Sequence, residues 1–280
     1  MNRKYKDTVF VRLFSREPQL RELYNALAGA SFGPETPFSV NTLGGVLFMG
    51  RRNDISFSVG TRLVVLVEHQ STLNPNMPLR FLFYISRLYE KLADRKAVYR
   101  GGSAPVPVPF AEFYVAYNGS EPLPDRSVLR LSDACGAGGR ANLELEANVV
   151  NINYGRNPGL MGRCETLAMY ARFVDMVKRE LRPRMGRQEL REALQKVINR
   201  SIDKGILKEF LEENASEVRN MLYTEWNWDD YMAVKREEAA AEYGEQLTAK
   251  DAQIRQYQEE RRQYQEQIRL LEEENRRLRG

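Results

Sequence analysis

The stretch Arg62-Leu-Val-Val-Leu-Val-Glu-His-Gln70 decides the fold that we predict for this chain. Its five consecutive aliphatic residues do not alternate with polar ones, which is typical of a strand that lies in the centre of a sheet and is buried on both faces. Two further strand patterns precede it, at Phe38–Met49 and Asn53–Val59. The connectors between the three segments are short and contain glycine, so we expect an antiparallel meander with the third strand inside the sheet.

Helical patterns flank this meander. Residues 8 to 28 carry apolar residues at helical spacing with a break at Glu17-Pro18, which predicts two short helices. After the meander, Leu79–Ala93 predicts a longer helix, and Glu112–Tyr117 predicts a fourth strand that ends at the turn pair Asn118-Gly119. We expect the apolar face of the longer helix to consist of Leu79, Leu82, Phe83, Ser86, Tyr89 and Leu92. The predicted fold is therefore α/β, with a core of order αβββαβ and a mixed sheet.

Three segments of different character follow from these patterns. Residues 1–160 contain the αβββαβ core, although residues 120–160 are rich in glycine and contain one clear strand pattern, at Asn148–Asn153. Residues 161–240 carry several helical patterns, which we interpret as a helical extension. Residues 245–280 form the last segment, which has the heptad pattern of a coiled coil.

The heptad pattern of this C-terminal segment is cleanest near its end. Ile268 and Asn275 occupy a positions, and Leu271 and Leu278 occupy d positions. A single asparagine at a with leucine at d favours two parallel strands, so we expect a homodimer through the C-terminal helix. The alternative is a solvated single helix that is stabilised by charge pairs along its surface.

Composition limits the classes of protein to which the chain can belong. With 42% hydrophobic and 29% charged residues over 280 positions, it can bury a substantial core, which excludes disorder as its main state. Its longest aliphatic run, Leu63–Val67, is too short to cross a membrane, and Met1–Lys6 lacks the apolar core of a signal peptide. Two isolated cysteines, Cys135 and Cys164, and a single histidine argue against a disulfide scaffold or a zinc cluster. We therefore expect a cytoplasmic protein with no membrane partner.

The charge of the chain is unevenly distributed. The net charge is +4, from 42 basic and 38 acidic residues, but residues 1–100 alone hold 15 basic residues against 8 acidic ones, a surplus of +7. A basic excess confined to one segment is typical of a surface that binds a polyanion such as nucleic acid.

Two carboxylates stand at the ends of neighbouring predicted strands. Asp54 opens the second strand and Glu68 follows the aliphatic run of the third. A carboxylate at the end of a buried strand is costly to desolvate unless it is paired or binds a metal. Because the end of one hairpin strand lies beside the start of its neighbour, the two residues can share a site, and carboxylate oxygens are the ligands that Mg²⁺ prefers. The alternative is a structural pair held by buried hydrogen bonds, or the remnant of a lost site.

The residues that follow Glu68 extend this candidate site. By strand alternation Gln70 shares a face with Glu68, where it can orient an attacking water or a phosphate oxygen. The same alternation places His69 on the opposite face, so we expect it to be packed rather than catalytic.

A second candidate site is a stripe on the helix after the third strand. Arg80, Tyr84, Arg87 and Lys91 follow one another at spacings of 4, 3 and 4, which places them on one side of the helix, opposite its predicted apolar face. Basic residues interleaved with an aromatic suit a phosphate backbone. The alternative is an ordinary solvated face whose long side chains cover apolar neighbours.

Taken together, these motifs resemble the recombination-promoting nuclease and transposase family of the PD-(D/E)xK nuclease superfamily. The resemblance covers residues 1 to about 235. It is carried by Asn53-Asp54, Glu68-x-Gln70, Asn74-Pro-Asn-Met-Pro-Leu-Arg80 with Tyr84, and Phe113-Tyr-Val-Ala-Tyr-Asn118-Gly. It implies a restriction-endonuclease-like core and a DNA endonuclease that depends on Mg²⁺ or Mn²⁺ and acts in recombination or in mobile elements.

The resemblance also implies roles for individual residues. Asp54 and Glu68 would be the metal ligands, and Gln70 stands where the superfamily has a lysine, whose positive charge glutamine cannot supply. In this superfamily the first helix sometimes adds a carboxylate, for which Asp7 is a candidate; its alternative role is to cap the helix that begins near Thr8. A competing interpretation is a non-catalytic DNA-binding or assembly protein that keeps the nuclease fold and dimerises through its coiled coil. A nuclease that acts on RNA would differ only in its substrate.

Overall fold

The computed structural model describes residues 9–40, 54–60, 62–70, 73–93, 98–99, 104–135, 142–182 and 185–224, together with 250 and 261–262. Within these ranges, the side chains of Val40, Asp54 and residues 63–70 lie outside the described part. The chain divides into two compact units, Met1–Thr224 and Glu225–Gly280. The predicted coiled coil belongs to the second unit, where residues 250 and 261–262 are helical and the other positions lie outside the described residues. Dimerisation through this segment therefore stays a prediction.

A six-stranded mixed sheet forms the centre of the first unit. Its strands are β1 (Phe38–Val40), β2 (Asp54–Val59), β3 (Arg62–Gln70), β4 (Phe110–Tyr117), β5 (Arg126–Arg130) and β6 (Glu146–Asn151), in the spatial order β1-β2-β3-β4-β6-β5. The first three strands form an antiparallel meander, β3, β4 and β6 run parallel, and β5 pairs antiparallel with β6. The meander was predicted from the short connectors and the interior position of β3 from the aliphatic run, and both are confirmed.

The α-helices of the first unit in the described ranges include α1 (Val9–Phe14), α2 (Glu17–Ala28), α3 (Met77–Leu92), α4 (Pro158–Met161), α5 (Glu165–Glu180), α6 (Arg187–Asp203) and α7 (208–224). Pro18 stands in the first turn of α2, and Gly29 ends this helix with a left-handed φ of 67°. No helix in the described ranges is long and apolar enough to span a membrane.

Helices cover both faces of the sheet. Phe113, Val115 and Tyr117 of β4 belong to the apolar cluster that contains α3, whereas Glu112 of the same strand hydrogen bonds to Tyr24 of α2. Since alternate residues of a strand point to opposite faces, α2 and α3 lie on opposite sides of the sheet. The chain thus has a layered α/β architecture.

The C-terminal helices of the first unit pack against its N-terminal helices. The ring of Tyr170 on α5 contacts that of Phe10 on α1, with 5.3 Å between their centroids. The hydroxyl of Thr166 donates a hydrogen bond to Glu22 on α2, and Arg12 on α1 pairs with Glu217 on α7 at 2.8 Å. The helices up to Thr224, which we predicted as an extension over residues 161–240, therefore belong to the same compact unit as the sheet.

The predicted apolar face of α3 is only partly correct, since Leu82 and Tyr89 pack against the core but are not its most buried residues. Its buried residues are Met77, Pro78, Phe81, Tyr84, Ile85 and Leu88. Phe83 and Leu92, which we placed in the core, are each 55% exposed, and Leu79 is 36% exposed. Apolar residues lie around most of this helix, so their periodicity alone does not determine which side is buried. Packing against the sheet determines it: the ring of Phe81 stacks on Phe113 with 4.8 Å between centroids.

The segment between β4 and β6 also differs from the prediction. We expected residues 120–160 to be irregular apart from a strand at Asn148–Asn153, but the strand lies at Glu146–Asn151 and β5 pairs beside it. β5 is an edge strand with an arginine at each end, and with only Val128 and Leu129 as aliphatic residues its five-residue sequence is too short for a clear strand pattern.

Candidate active site at the carboxyl edge of the sheet

Three parallel strands end along one edge of the sheet, which we call the carboxyl edge. Gln70 at the end of β3 pairs with Tyr117 at the end of β4, and Tyr117 pairs with Asn151 at the end of β6. Ligand sites in open α/β sheets commonly lie outside the carboxyl ends of the parallel strands. The carboxyl edge is therefore a candidate position for a functional site.

The backbones of Asp54 and Glu68 are neighbours at this edge. Asp54 pairs with Val67, the residue that precedes Glu68, so the two predicted ligands stand one step apart in the register of β2 and β3. The side chains of Asp54, Glu68 and Gln70 lie outside the described residues, and so does the whole of Asp7. Their roles as metal ligands and as a catalytic residue stay predictions.

β3 is irregular just where these residues stand. Val67 lies opposite Val115 and Gln70 lies opposite Tyr117, so β3 takes three steps where β4 takes two. An extra residue of this kind is a β-bulge, which bends a strand and re-aims its side chains, often beside an active site. The alternation that we used to place Glu68 and Gln70 on one face, with His69 on the other, holds only for an unbroken ladder.

Asn118, at the same edge, is one of three residues in the described ranges with a buried side-chain oxygen that lacks a hydrogen-bond partner, together with Gln19 and Ser56. Asn118 follows Tyr117 directly and is 2% exposed, and no hydrogen-bond donor within the described ranges reaches its buried side-chain oxygen, Oδ1. A buried polar atom without a partner costs roughly 1–3 kcal/mol, which is why such atoms are rare and call for an explanation. A cation or a donor group on a bound ligand would provide the missing partner.

Three asparagines hold the loops around Asn118. The side-chain Nδ2 atoms of Asn151, Asn153 and Asn157 donate to the backbone oxygens of Leu123 (2.9 Å), Gly119 (3.1 Å) and Asp125 (2.7 Å), respectively. Each bond joins the segment that follows β4 to the end of β6 or to the segment that follows it. The carboxyl edge is thus a hydrogen-bonded framework rather than a pair of independent loops.

Lys178 brings a positive charge to this framework from α5. Its Nζ donates a hydrogen bond to the backbone oxygen of Asn118 and a second one, of 3.2 Å, to Oδ1 of Asn153. Sequence reasoning missed Lys178 because it lies 60 residues beyond Asn118 and we assigned its helix to a separate extension. No local sequence signal identifies it, since only tertiary packing brings α5 to this edge.

The predicted basic stripe on α3 is not a continuous surface. Tyr84, its central aromatic, is 6% exposed and belongs to the core against the sheet, so the prediction that it contacts nucleic acid conflicts with its burial. Arg87 and Lys91 are exposed, and Arg80 is half-buried with Nη1 at 3.3 Å from the sulfur of Met77. The three cations stay candidates for phosphate contacts, and the exposed aromatic of this helix is Phe83.

A second polar cluster lies at the opposite ends of the strands, around Glu112. Its carboxylate accepts hydrogen bonds from the hydroxyl of Tyr24 (3.1 Å), from Nη1 of Arg62 (2.7 Å) and from the hydroxyl of Tyr114 (3.0 Å). Burial, followed by the negative charge of Glu112, raises the pKa of Tyr114 well above its usual value. A cleft of about 950 Å³ opens beside this cluster between α3 and β4.

This Glu112 cluster has the chemistry of a structural network. Both carboxylate oxygens are engaged by donors from α2, β3 and β4, which ties three elements together. The hydroxyl of Tyr114 is protonated at neutral pH, as in any tyrosine, and its raised pKa makes deprotonation harder still, so it is a poor general base. We therefore place the candidate active site at the carboxyl edge and not in this cleft.

The described residues contain no group of three or more His, Cys, Asp or Glu side chains that is arranged to hold a metal ion. No family model, no curated protein and no solved structure matches this chain. An assignment of function therefore depends on the residues and the register of the carboxyl edge.

Proposed function

We propose that this protein is a Mg²⁺-dependent DNA endonuclease whose active site lies at the carboxyl edge and contains Asp54, Glu68 and Gln70. The observation that supports it most is the register of β2 and β3 together with the irregularity of β3 after Val67. The register sets the backbones of Asp54 and Glu68 one step apart, and in an unbroken ladder Glu68 would point away from the face that Asp54 shares with Val67, so the proposal requires the irregularity to turn Glu68 toward Asp54. Two carboxylates and an amide beside the ends of parallel strands suit phosphodiester hydrolysis, which needs a polarised phosphate and an oriented water.

The order of elements supports the same proposal. From α2 through β1, β2, β3 and α3 to β4, the chain follows the order helix, three strands, helix, strand, and β4 runs parallel to β3. This is the order expected for a restriction-endonuclease-like αβββαβ core. We therefore propose that the chain is related to the recombination-promoting nuclease and transposase family.

The donor groups at the carboxyl edge fit Mg²⁺ or Mn²⁺ by their chemistry. Asp54 and Glu68 offer carboxylate oxygens, and the buried Oδ1 of Asn118, which lacks a donor among the described residues, is a hard oxygen at the same edge of the sheet. When bound, such an ion supplies positive charge to the phosphate and lowers the pKa of a water. Gln70 would orient the attacking water by hydrogen bonding, since its amide both donates and accepts.

DNA binding in the proposal comes from contacts to phosphates. Residues 1–100 carry a surplus of seven positive charges, and Arg87 and Lys91 are exposed on α3. Such contacts are independent of sequence and weaken as salt rises. We therefore expect binding without strong sequence preference.

The experiment that tests the proposal is incubation of supercoiled plasmid with the full chain in Mg²⁺ or Mn²⁺. We compare wild type with Asp54→Ala and Glu68→Ala, and use Glu209→Ala as a control because this carboxylate is exposed on α7. Cleavage that stops with chelator, disappears in the first two variants and persists in the control supports the proposal. Equal cleavage by all four folded proteins would show that the site is elsewhere.

The neutral side chain of Gln70 favours a second candidate, a non-catalytic DNA-binding or assembly protein on the same fold. In that case wild type would bind duplex DNA and leave it intact with either metal ion. Cleavage of RNA but not of DNA in parallel reactions would instead identify a ribonuclease.

A further inference from the structure

We propose that the cleft between α3 and β4 is a binding site for a partner peptide in extended conformation that carries apolar and basic side chains. The peptide adds a strand in the gap where β4 and β6 separate. This site lies at the opposite ends of the strands from the carboxyl edge, and its occupation does not depend on cleavage activity.

The pairing of β4 with β6 covers only the second half of β4. The ladder begins at Tyr114 and Asn148, although β4 starts at Phe110 and β6 starts at Glu146. Where the ladder begins, the side-chain amide of Asn148 donates a hydrogen bond of 3.2 Å to the backbone oxygen of Phe113. The first residues of the two strands are therefore not joined to each other, and both strands line the cleft there.

On β4, the backbone groups of Ala111 point into this gap. The oxygen of Tyr117 accepts a hydrogen bond from the N–H of Ile152, so the odd-numbered residues of β4 present their backbone groups to β6. Ala111 is one of these residues, and it precedes the first paired residue, Tyr114. Within the described ranges, its N–H and its oxygen have no ladder partner on this side, and neither has the N–H of Phe113.

On β6, the backbone groups of Glu146 face the same gap. The oxygen of Leu145 and the N–H of Asn151 bond to the segments at the two ends of β5, so the even-numbered residues of β6 face β4. Glu146 precedes Asn148, where the pairing with β4 begins. Unpaired backbone groups along a strand are a template for an added strand, and this is a common way in which proteins bind extended peptides.

The walls of the cleft offer apolar side chains for such a peptide. Leu82 and Ile85 line it from α3, and three further lining residues, Val98, Tyr99 and Leu143, are 53%, 82% and 54% exposed. Single exposed apolar residues are normal on a protein surface, but a group of them around one cleft indicates an interaction site. The volume of about 950 Å³ lies within the range of ligand sites.

The charge of the cleft favours a basic partner. Its described lining contains no lysine or arginine, but it contains four carboxylates, those of Glu90, Glu112, Glu144 and Glu146. Arginines of the neighbouring strands pair with two of them, whereas Glu90 and Glu144 meet no basic side chain among the described residues. Uncompensated negative charge repels nucleic acid and attracts lysine and arginine side chains.

The competing explanation is that only water fills the gap. Solvated backbone groups need no partner, and the carboxylates would then simply face solvent. A peptide that adds a strand makes two predictions that a solvated gap does not: its affinity depends on its own backbone N–H groups, and it protects amides of β4 and β6 from hydrogen exchange.

The probes are two libraries of synthetic peptides tested against the full chain. The unpaired stretch of β4, Phe110–Phe113, is about 10 Å long, so capped hexapeptides are long enough to span it. In the first library each position is valine, phenylalanine, tyrosine, threonine, lysine or arginine. In the second, glutamate replaces the two basic residues. The tightest binder is also made with N-methyl groups on alternate backbone nitrogens, in both registers.

Two changes in the protein test the position of the site, and each has a matched control. Glu90→Gln combined with Glu144→Gln removes the unpaired charges, and its control is Glu209→Gln, an exposed carboxylate on α7. Tyr99→Ser removes an exposed aromatic from the cleft, and its control is Tyr154→Ser, a tyrosine that is 53% exposed after the carboxyl end of β6.

We expect the tightest binder to come from the basic library. N-methylation in one or both registers should raise its Kd roughly 10-fold or more, as for the loss of backbone hydrogen bonds. The double glutamine variant should raise Kd roughly 5-fold and Tyr99→Ser roughly 10-fold, with the two controls unchanged. Bound peptide should slow hydrogen exchange at Ala111, Phe113 and Glu146.

Four results would overturn the proposal. These are a basic library that binds no better than the acidic one, equal affinity of the N-methylated peptides, unchanged exchange at the three amides, and an unchanged Kd in both folded cleft variants. Self-association of wild type that Tyr99→Ser abolishes would identify a second copy of the chain as the occupant and would refute a separate partner. Because none of these measurements requires cleavage, they leave the nuclease assignment to its own test.

Discussion

Replacing Glu112 by glutamine removes one negative charge from the network that joins α2, β3 and β4. In the native protein Oε1 accepts from Tyr24 and Arg62, and Oε2 accepts from Tyr114. Glutamine keeps one carbonyl oxygen, which still accepts hydrogen bonds from Tyr24 and Arg62 but carries no negative charge. The amide nitrogen that replaces the other oxygen forces the hydroxyl of Tyr114 to turn and accept, so the charge-assisted bond is lost.

The magnitude follows from the exposure of each partner. Tyr114 is 7% exposed, and a hydrogen bond from such a residue to a charged group contributes about 1.5–3 kcal/mol. Arg62 is 47% exposed at its side chain, so solvent screens its ion pair with Glu112, which contributes about 0.2–1 kcal/mol. Since glutamine retains part of both interactions, we expect Glu112→Gln to lower the free energy of unfolding by about 2 kcal/mol.

The assay is urea unfolding of wild type, Glu112→Gln, Tyr114→Phe and the double variant. If the two residues form one network, the effects are not additive and the coupling energy is about 1 kcal/mol. Plasmid cleavage by Glu112→Gln should stay at the wild-type rate below its melting temperature, because the network lies at the opposite ends of the strands from the carboxyl edge. Additive effects, or a loss of cleavage in the folded variant, would refute this division between structural and functional clusters.

The remaining predictions concern pH, thiol chemistry and the C-terminal segment. Burial raises the pKa of Tyr114 in the folded protein, so the unfolded chain loses this proton first as pH rises above about 10 and the free energy of unfolding falls. This fall should be smaller in Tyr114→Phe than in wild type. Equal decreases of the unfolding free energy in both proteins, measured by urea unfolding at alkaline pH, would contradict this. Burial also raises the pKa of the Cys164 thiol to about 12, whereas Cys135 is exposed, so a thiol reagent should modify one cysteine in the native protein and two in urea. Rapid modification of Cys164 in the native protein would count against its burial. Deleting residues 245–280 should lower the mass measured by light scattering if the heptads dimerise the chain, and an unchanged mass would favour a solvated helix.

The central part of the fold could be predicted from the sequence because β3 carries an unambiguous local signal. Five aliphatic residues in succession fit the interior of a sheet, and short glycine-containing connectors favour hairpins on its amino-terminal side. The helix α3 was placed correctly along the chain but not in its rotation, because its apolar residues do not define a single face. Phe113 on β4 determines that rotation, and no local pattern reveals this contact.

The candidate site, too, was predictable where local sequence signals determine it and unpredictable where distant contacts do. Asp54 and Glu68 were paired from hairpin geometry, and the observed register sets their backbones side by side. The bulge after Val67, the orphaned oxygen of Asn118 and the arrival of Lys178 from α5 could not be predicted, because each depends on contacts between distant segments.

The most direct measurement is the initial rate of Mg²⁺-dependent cleavage of supercoiled plasmid by Glu68→Gln relative to wild type. Glutamine has nearly the same size as glutamate but no charge, so the variant isolates the carboxylate that we assign as a metal ligand. With a native melting temperature in Glu68→Gln, we predict a rate at least roughly 100-fold below wild type, as for the loss of a group that stabilises developing charge. A folded Glu68→Gln protein that cleaves plasmid at the wild-type rate would contradict an active site at the carboxyl edge.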